Sequence, residues 1–133
     1  MIKKHKPTER KKLDKKCLIL WALIVRLPQK CAICGKEQIG TDKVVFHGHH
    51  VISRRYSAGR WSLDNGLCCC QSCHFLEKPD PERFRDMILR AIGENKFNEL
   101  KERFMVTQKV SEVELELIHQ GLKLEFQRRK KEQ

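Results

Sequence analysis

The chain has 133 residues, with 28 Lys and Arg against 17 Asp and Glu, a formal charge of +11. Apolar residues make up 40% and aromatics 7%, too much for a fully disordered chain but lean for a large core, so one domain with metal or covalent reinforcement is expected. The excess of positive charge calls for a polyanionic partner, most simply nucleic acid.

Residues 1–12 read as a basic arm. Residues 1–16 hold eight Lys or Arg and two acids, which fits either a solvated tail or an arm on phosphate. Residues 13–27, LDKKCLILWALIVRL, read as a helix with Leu13, Cys17, Leu20, Trp21 and Ile24 on one face, ended by Pro28. The apolar run at 17–25 has nine residues, against the roughly twenty that a bilayer requires. No small-residue cleavage site follows it, so a core helix is expected rather than a signal peptide or membrane span. Residues 43–52, KVVFHGHHVI, are rich in β-branched and aromatic side chains and predict a strand. Residues 54–66 are polar with two glycines and predict a loop, and residues 66–74 lead into a helix.

Asp80-Pro81-Glu82 is a helix-start signature, with Phe84, Met87, Ile88, Ala91 and Ile92 at helical spacing and Gly93 as a stop. A second helix carries Phe97, Leu100 and Phe104. Ser111 and Glu114 have capping-box spacing ahead of a third, with Leu115, Ile118, Leu122 and Phe126 on one face. These stripes read as core or dimer contacts. The RRKK stretch at 128–131 reads as a solvated, frayed end.

The seven cysteines are an odd number, and two pairs are spaced C-x-x-C. A secreted disulfide scaffold favours an even count, so thiolates on a metal in a reducing compartment are expected. Cys31-Ala-Ile-Cys34-Gly35 is a knuckle in which both sulfurs can face one ion, and Cys70-Gln-Ser-Cys73 is its partner. Together Cys31, Cys34, Cys70 and Cys73 make a tetrahedral zinc site, with 35 residues inserted between the pairs. Cys17, Cys68 and Cys69 read as packing residues, with Cys69 the spare ligand.

The segments CAICGK, FHGHHVISRR and LDNGLCCCQSCH resemble the HNH endonucleases of the ββα-metal (His-Me finger) group, and are similar to phage-encoded members. Asn65 to His74 carries the family's N-x4-C-x-x-C-H spacing. The resemblance covers residues 31–74, extends loosely to the preceding helix and to the PERF helix, and leaves out residues 94–133 and the basic N-terminus. It implies that His50 is the general base that activates water. It implies that His49 and His74 ligate a catalytic divalent metal (Mg²⁺, Mn²⁺, Ni²⁺ or Zn²⁺), and that Asn65 orients the loop holding the base. Imidazole suits the base because its pKa lies near operating pH. A sulfur-saturated ion has no open position for substrate, so the zinc is structural and the second metal does the chemistry.

His49 and His50 are strand neighbours and point to opposite faces; twist, or a bulge at Gly48, is expected to bring both to one phosphate. His47 shares the parity of His49 and reads most simply as an exposed strand residue, with ligation or phosphate contact as the rival. Arg54, Arg55 and Arg60 are candidate phosphate contacts, with simple surface charge weighed equally for the first two. Trp61 reads as a loop anchor.

The expected architecture is α+β: a zinc-stapled ββα-metal (HNH) core with flanking helices. Residues 1–12 are the arm, 13–93 the nuclease domain with its leading helix, and 94–133 a helical C-terminal extension. The expected activity is low-specificity, metal-dependent hydrolysis of DNA to a 5′-phosphate and a 3′-hydroxyl, in a cytoplasmic, phage or prophage setting. Expected partners are DNA, phage packaging or recombination proteins, and a second copy as homodimer, with no membrane. The rivals are a non-catalytic zinc module that binds nucleic acid and a structure-selective junction nuclease.

Overall fold

The computed structural model describes residues 6–132; residues 1–5 of the basic arm and Gln133 lie outside them. The described residues form five α-helices and a two-stranded antiparallel sheet, an α+β arrangement. No described helix is long and apolar enough to cross a membrane.

Helix α1 spans Glu9–Arg26 and so begins four residues before Leu13. Thr8 is its cap, with Oγ1 accepting from the Lys11 amide at 3.2 Å, and Glu9 sits favourably at the positive helix end. The last four residues of the predicted arm are therefore helical; they carry no apolar residue, so periodicity could not find them. Cys17, Trp21, Ile24 and Val25 are buried along one face.

The sheet pairs β1 (Phe46–His50) with β2 (Gly66–Cys70). β1 is shorter than the predicted 43–52 because side chains replace the ladder at both ends. Gln38 Oε1 accepts from the Val44 amide at 2.8 Å, and the Asn65 side chain pairs with both backbone groups of Ile52. Pairing runs unbroken from Phe46↔Cys70 to His50↔Gly66, so the bulge expected at Gly48 is not there. Alternation puts Gly48 and His50 on the α1 side, where His50 stacks on Trp21. His47 and His49 face the other way, towards His74 and Phe84.

Helix α1 crosses this hairpin closely because two glycines leave room. A Cβ at Gly66 would lie 2.4 Å from Val25 Cγ2, and one at Gly48 3.2 Å from the Ala22 backbone. Gly66→Ala is expected to cost about 1–3 kcal/mol of stability through overpacking; urea unfolding measures it, and an unchanged midpoint would contradict this packing.

Between the strands run two short 3₁₀ turns, Ser57–Gly59 and Leu63–Asn65. After β2 come α2 (Gln71–Phe75), α3 (Pro81–Ile92), α4 (Glu94–Phe104) and α5 (Glu112–Lys131). The predicted caps are present: the Asp80 side chain accepts from the Arg83 amide and the Ser111 side chain from the Glu114 amide. Gly93 takes a positive φ of 88° between α3 and α4.

The last two helices belong to the same packing as the rest. Leu115 and Leu122 share one buried cluster with Cys17, Trp21 and Ile24 of α1. Phe97, Leu100 and Phe104 bury against Ile52. A core therefore runs across residue 93, where the sequence reading had placed a boundary. The RRKK stretch is helical through Lys131, with Glu125 paired to Arg128 and Arg129; it is not a frayed end.

Candidate metal centres and active-site groove

The first centre is built of sulfur. The knuckle at 30–37 is a tight hairpin: the Cys31 amide donates to Lys36 O at 2.8 Å, the Gly35 amide to Cys31 O at 2.9 Å, and Gly35 takes φ 78°. Ala32 N donates to Cys68 O at 2.8 Å and ties the knuckle to β2. Cys70 ends β2 and Cys73 lies in α2. The four sulfurs of Cys31, Cys34, Cys70 and Cys73 all lie within 4.8 Å of one another. All are free thiols, and the Cys34–Cys70 pair is 3.7 Å apart, well beyond a disulfide bond of about 2 Å. The group is close enough to hold one metal ion such as zinc. Burial pushes the Cys31 thiol up, but backbone N–H groups of Cys34, Cys70 and Ile33 outweigh it and bring the pKa down to about 6. That favours the thiolate at Cys31, while burial first and then the neighbouring sulfurs push Cys73 the other way.

Cys69 takes no part. Strand alternation turns it away from Cys70, opposite His47. It is fully buried, and burial first, then neighbouring thiolates, pushes its pKa up to about 12. The spare-ligand reading is thus corrected: Cys69, like Cys17 and Cys68, is a packing residue.

The second centre is built of imidazole and carboxylate. His49 comes from β1, and His74 from α2, one residue beyond Cys73. Glu77 follows one turn later. Its Oε2 lies 3.2 Å from His74 Nε2 and 3.5 Å from His49 Nδ1. The three ligand atoms fall within 4.8 Å of one another. Sequence reasoning missed Glu77, although H-x-x-E at helical i, i+3 spacing was a visible signal. His49 is 13% exposed; burial, then His74 and His50, lower its pKa to about 4. It is held as neutral imidazole, the form that binds a metal. His47 stacks on His74 with ring centroids 4.8 Å apart, so it is a half-buried neighbour of the centre rather than a freely exposed strand residue.

His50 lies on the other side of the strand. Its ring stacks on Trp21 at 3.7 Å with an interplanar angle of 7°. Its Nε2 is 2.8 Å from Arg60 O. A carbonyl only accepts, so Nε2 carries the hydrogen and Nδ1 keeps a lone pair. Burial lowers its pKa; the Arg60 carbonyl opposes this, and the charges of Arg54 and Arg60 reinforce it. Because β1 ends at His50, His49 and His50 line one groove with His74 and Glu77 despite facing opposite sides. The groove has a volume of about 570 Å³, and Arg54 and Lys78 supply its positive edge.

Asn65 is fully buried. Its amide donates to Ile52 O at 2.9 Å and Gly59 O at 3.1 Å, and its Oδ1 accepts from Ile52 N at 2.8 Å. It pins both ends of the loop that carries Arg60.

Arg60 is committed elsewhere than phosphate. It grips Asp14 on α1 through Nε and Nη2 at 2.9 and 2.6 Å, and donates to Arg54 O at 3.2 Å. Trp61 Nε1 donates to the same carboxylate at 2.8 Å. Burial opposes ionisation of Asp14, but these donors hold its pKa below the usual carboxylate value. Trp61 is a loop anchor, 9% exposed. Arg55 is exposed and donates to its neighbour, the Tyr56 hydroxyl, at 2.9 Å. Asp14 had no local sequence signal; only the fold brings it to residues 60 and 61.

No family model, curated protein or solved structure matches the chain. The functional reading therefore rests on the residues and their geometry.

Proposed function

We propose that the chain is a metal-dependent endonuclease of the HNH kind, hydrolysing DNA phosphodiester bonds with little sequence preference. The observation that carries this is the convergence of His49, His74 and Glu77 in one groove with His50, whose Nε2 is tied to a backbone carbonyl. A satisfied structural histidine needs no carboxylate shared with another histidine and no open groove beside it.

His50 takes the proton from the attacking water at Nδ1, the nitrogen left free by the Arg60 carbonyl. The water oxygen bonds to phosphorus, the bond to the 3′-oxygen breaks, and that oxygen takes a proton from solvent, leaving a 5′-phosphate and a 3′-hydroxyl. His49, His74 and Glu77 would hold the divalent cation, Mg²⁺, Mn²⁺, Ni²⁺ or Zn²⁺. When bound, that cation supplies Lewis-acid stabilisation of the charge on the departing oxygen. A divalent cation on two imidazole nitrogens and one carboxylate would keep a net positive charge for phosphate. A zinc on the four thiolates would be the structural ion, saturated by sulfur and without an open position for substrate. Arg54 and Lys78 draw the backbone into the groove, so affinity falls steeply with salt.

The test is plasmid nicking with Mg²⁺, Mn²⁺ or Ni²⁺ against a metal-free control. Metal-dependent conversion to nicked circles is expected. Retained DNA binding with no cutting under any cation would favour the rival, a non-catalytic zinc module docked on a packaging or recombination assembly.

Asp14→Ala releases Arg60 and Trp61, and with them the carbonyl that holds His50. Nicking is expected to fall roughly 10–100-fold from misplacement of the base. The slope of DNA affinity against salt should not change, because Arg60 makes no phosphate contact in this reading. A changed slope would return Arg60 to the phosphate contacts.

A further inference from the structure

A second cavity, of about 400 Å³, opens beside the histidine groove and shares His49, Val51, Ser53 and Glu77 with it. Its apolar lining includes Tyr56 from the loop, Phe84 and Ile88 from α3, Phe97 from α4 and Met105 just beyond. Three cations also line it: Arg55 lies 4.9 Å from the Tyr56 ring centroid, and Arg85 and Lys101 lie 5.3 and 5.8 Å from that of Phe97. Glu77 is the only acid in the lining, and it belongs to the metal set.

A backbone phosphate has no use for an aromatic cavity, because it is charged and strongly hydrated. A nucleobase does, since its face is apolar and stacks on aromatic rings and guanidinium planes, while the phosphates on either side seek cations. The volume lies at the small end of ligand pockets, enough for one base. A paired base cannot enter without leaving its stack.

We propose that this cavity receives an unpaired base next to the scissile phosphate, so that the preferred substrate is DNA with a single-stranded segment. Its location relative to the cut rests on the nuclease reading. Stacking accepts every base, which agrees with low sequence preference.

The test uses the full-length chain carrying His50→Ala, so that DNA is held and not cut, with Mg²⁺ present. Fluorescence anisotropy compares three probes of equal length: a single strand, the same strand with abasic positions, and a duplex. The abasic strand keeps every phosphate and loses only the bases. The base-bearing strand is expected to bind roughly tenfold more tightly than the abasic one, and more tightly than the duplex. Met105→Trp fills the cavity from a position that is 45% exposed, and should bring the ratio of normal to abasic affinity close to one. Arg85→Glu, on the exposed side of α3, should reduce the ratio as a second check. Equal binding of normal and abasic strands overturns the proposal. So does a base preference that survives both substitutions. Nicking in the wild-type chain is scored separately: a base preference abolished by these substitutions, together with no cutting, supports the cavity assignment and counts against the nuclease.

Discussion

Replacing His50 with alanine is expected to lower the nicking rate by about 10²–10⁴-fold, the usual contribution of a positioned general base. The fold should survive, because His50 lies at the end of β1 and the Trp21 indole keeps its own bond to Ser62 O at 2.7 Å. Zinc content and the thermal melt are the controls. The pH dependence carries a sign. The base must be neutral to take a proton, and burial with flanking cations holds the His50 pKa below 6.5. The rate should therefore rise with pH on the acid side and flatten before neutrality. An inflection above pH 7, or undiminished cutting by the variant, would remove His50 from this role.

The second large effect concerns the sulfur centre. Cys70→Ser is expected to abolish stoichiometric zinc and the cooperative melt together. A two-stranded hairpin is marginal in water by itself, and α2 is a five-residue helix without a side-chain cap. An ion held by the four cysteines would join the knuckle, the end of β2 and α2 at one point. Structural zinc contributes about 10–16 kcal/mol of apparent binding free energy at neutral pH, larger than the stability of a typical domain. Since Cys73 precedes His74, loss of the ion also frees a ligand of the second centre. Added Mg²⁺ should then fail to restore nicking. Cys69→Ala is the control, because Cys69 lies outside the cluster: it should lose some stability as a core truncation yet keep one zinc per chain. Full zinc content in Cys70→Ser, or its loss in Cys69→Ala, would overturn the ligand assignment.

What could be read without coordinates was whatever depends on short spacing. The two C-x-x-C pairs converge, and Asp80, Gly93 and Ser111 act at the helix ends where local pattern put them. His49 and His74 line one groove, and Asn65 is buried beneath the loop whose backbone at Ile52 and Gly59 it holds. Failures came where a tertiary partner decides. Asp14 meets Arg60 across 46 positions, and no window along the chain contains both. Gln38 and Asn65 end the strand with side chains, which β-propensity does not register. Glu77 lies just past α2, and only the fold brings its carboxylate to His49 as well as to His74. The closing helices lie beyond the residues that carry the resemblance, and their apolar stripes alone give no address for what they cover.

That address has a temporal side. The Cys17 thiol donates to Leu115 O at 3.8 Å, across 98 positions. Until a ribosome has made residues 115–122, the buried cluster that Cys17 shares with Leu115 and Leu122 is incomplete. Pairing so distant in sequence slows folding relative to local contacts. The last helix to be synthesised thus completes the packing of the first.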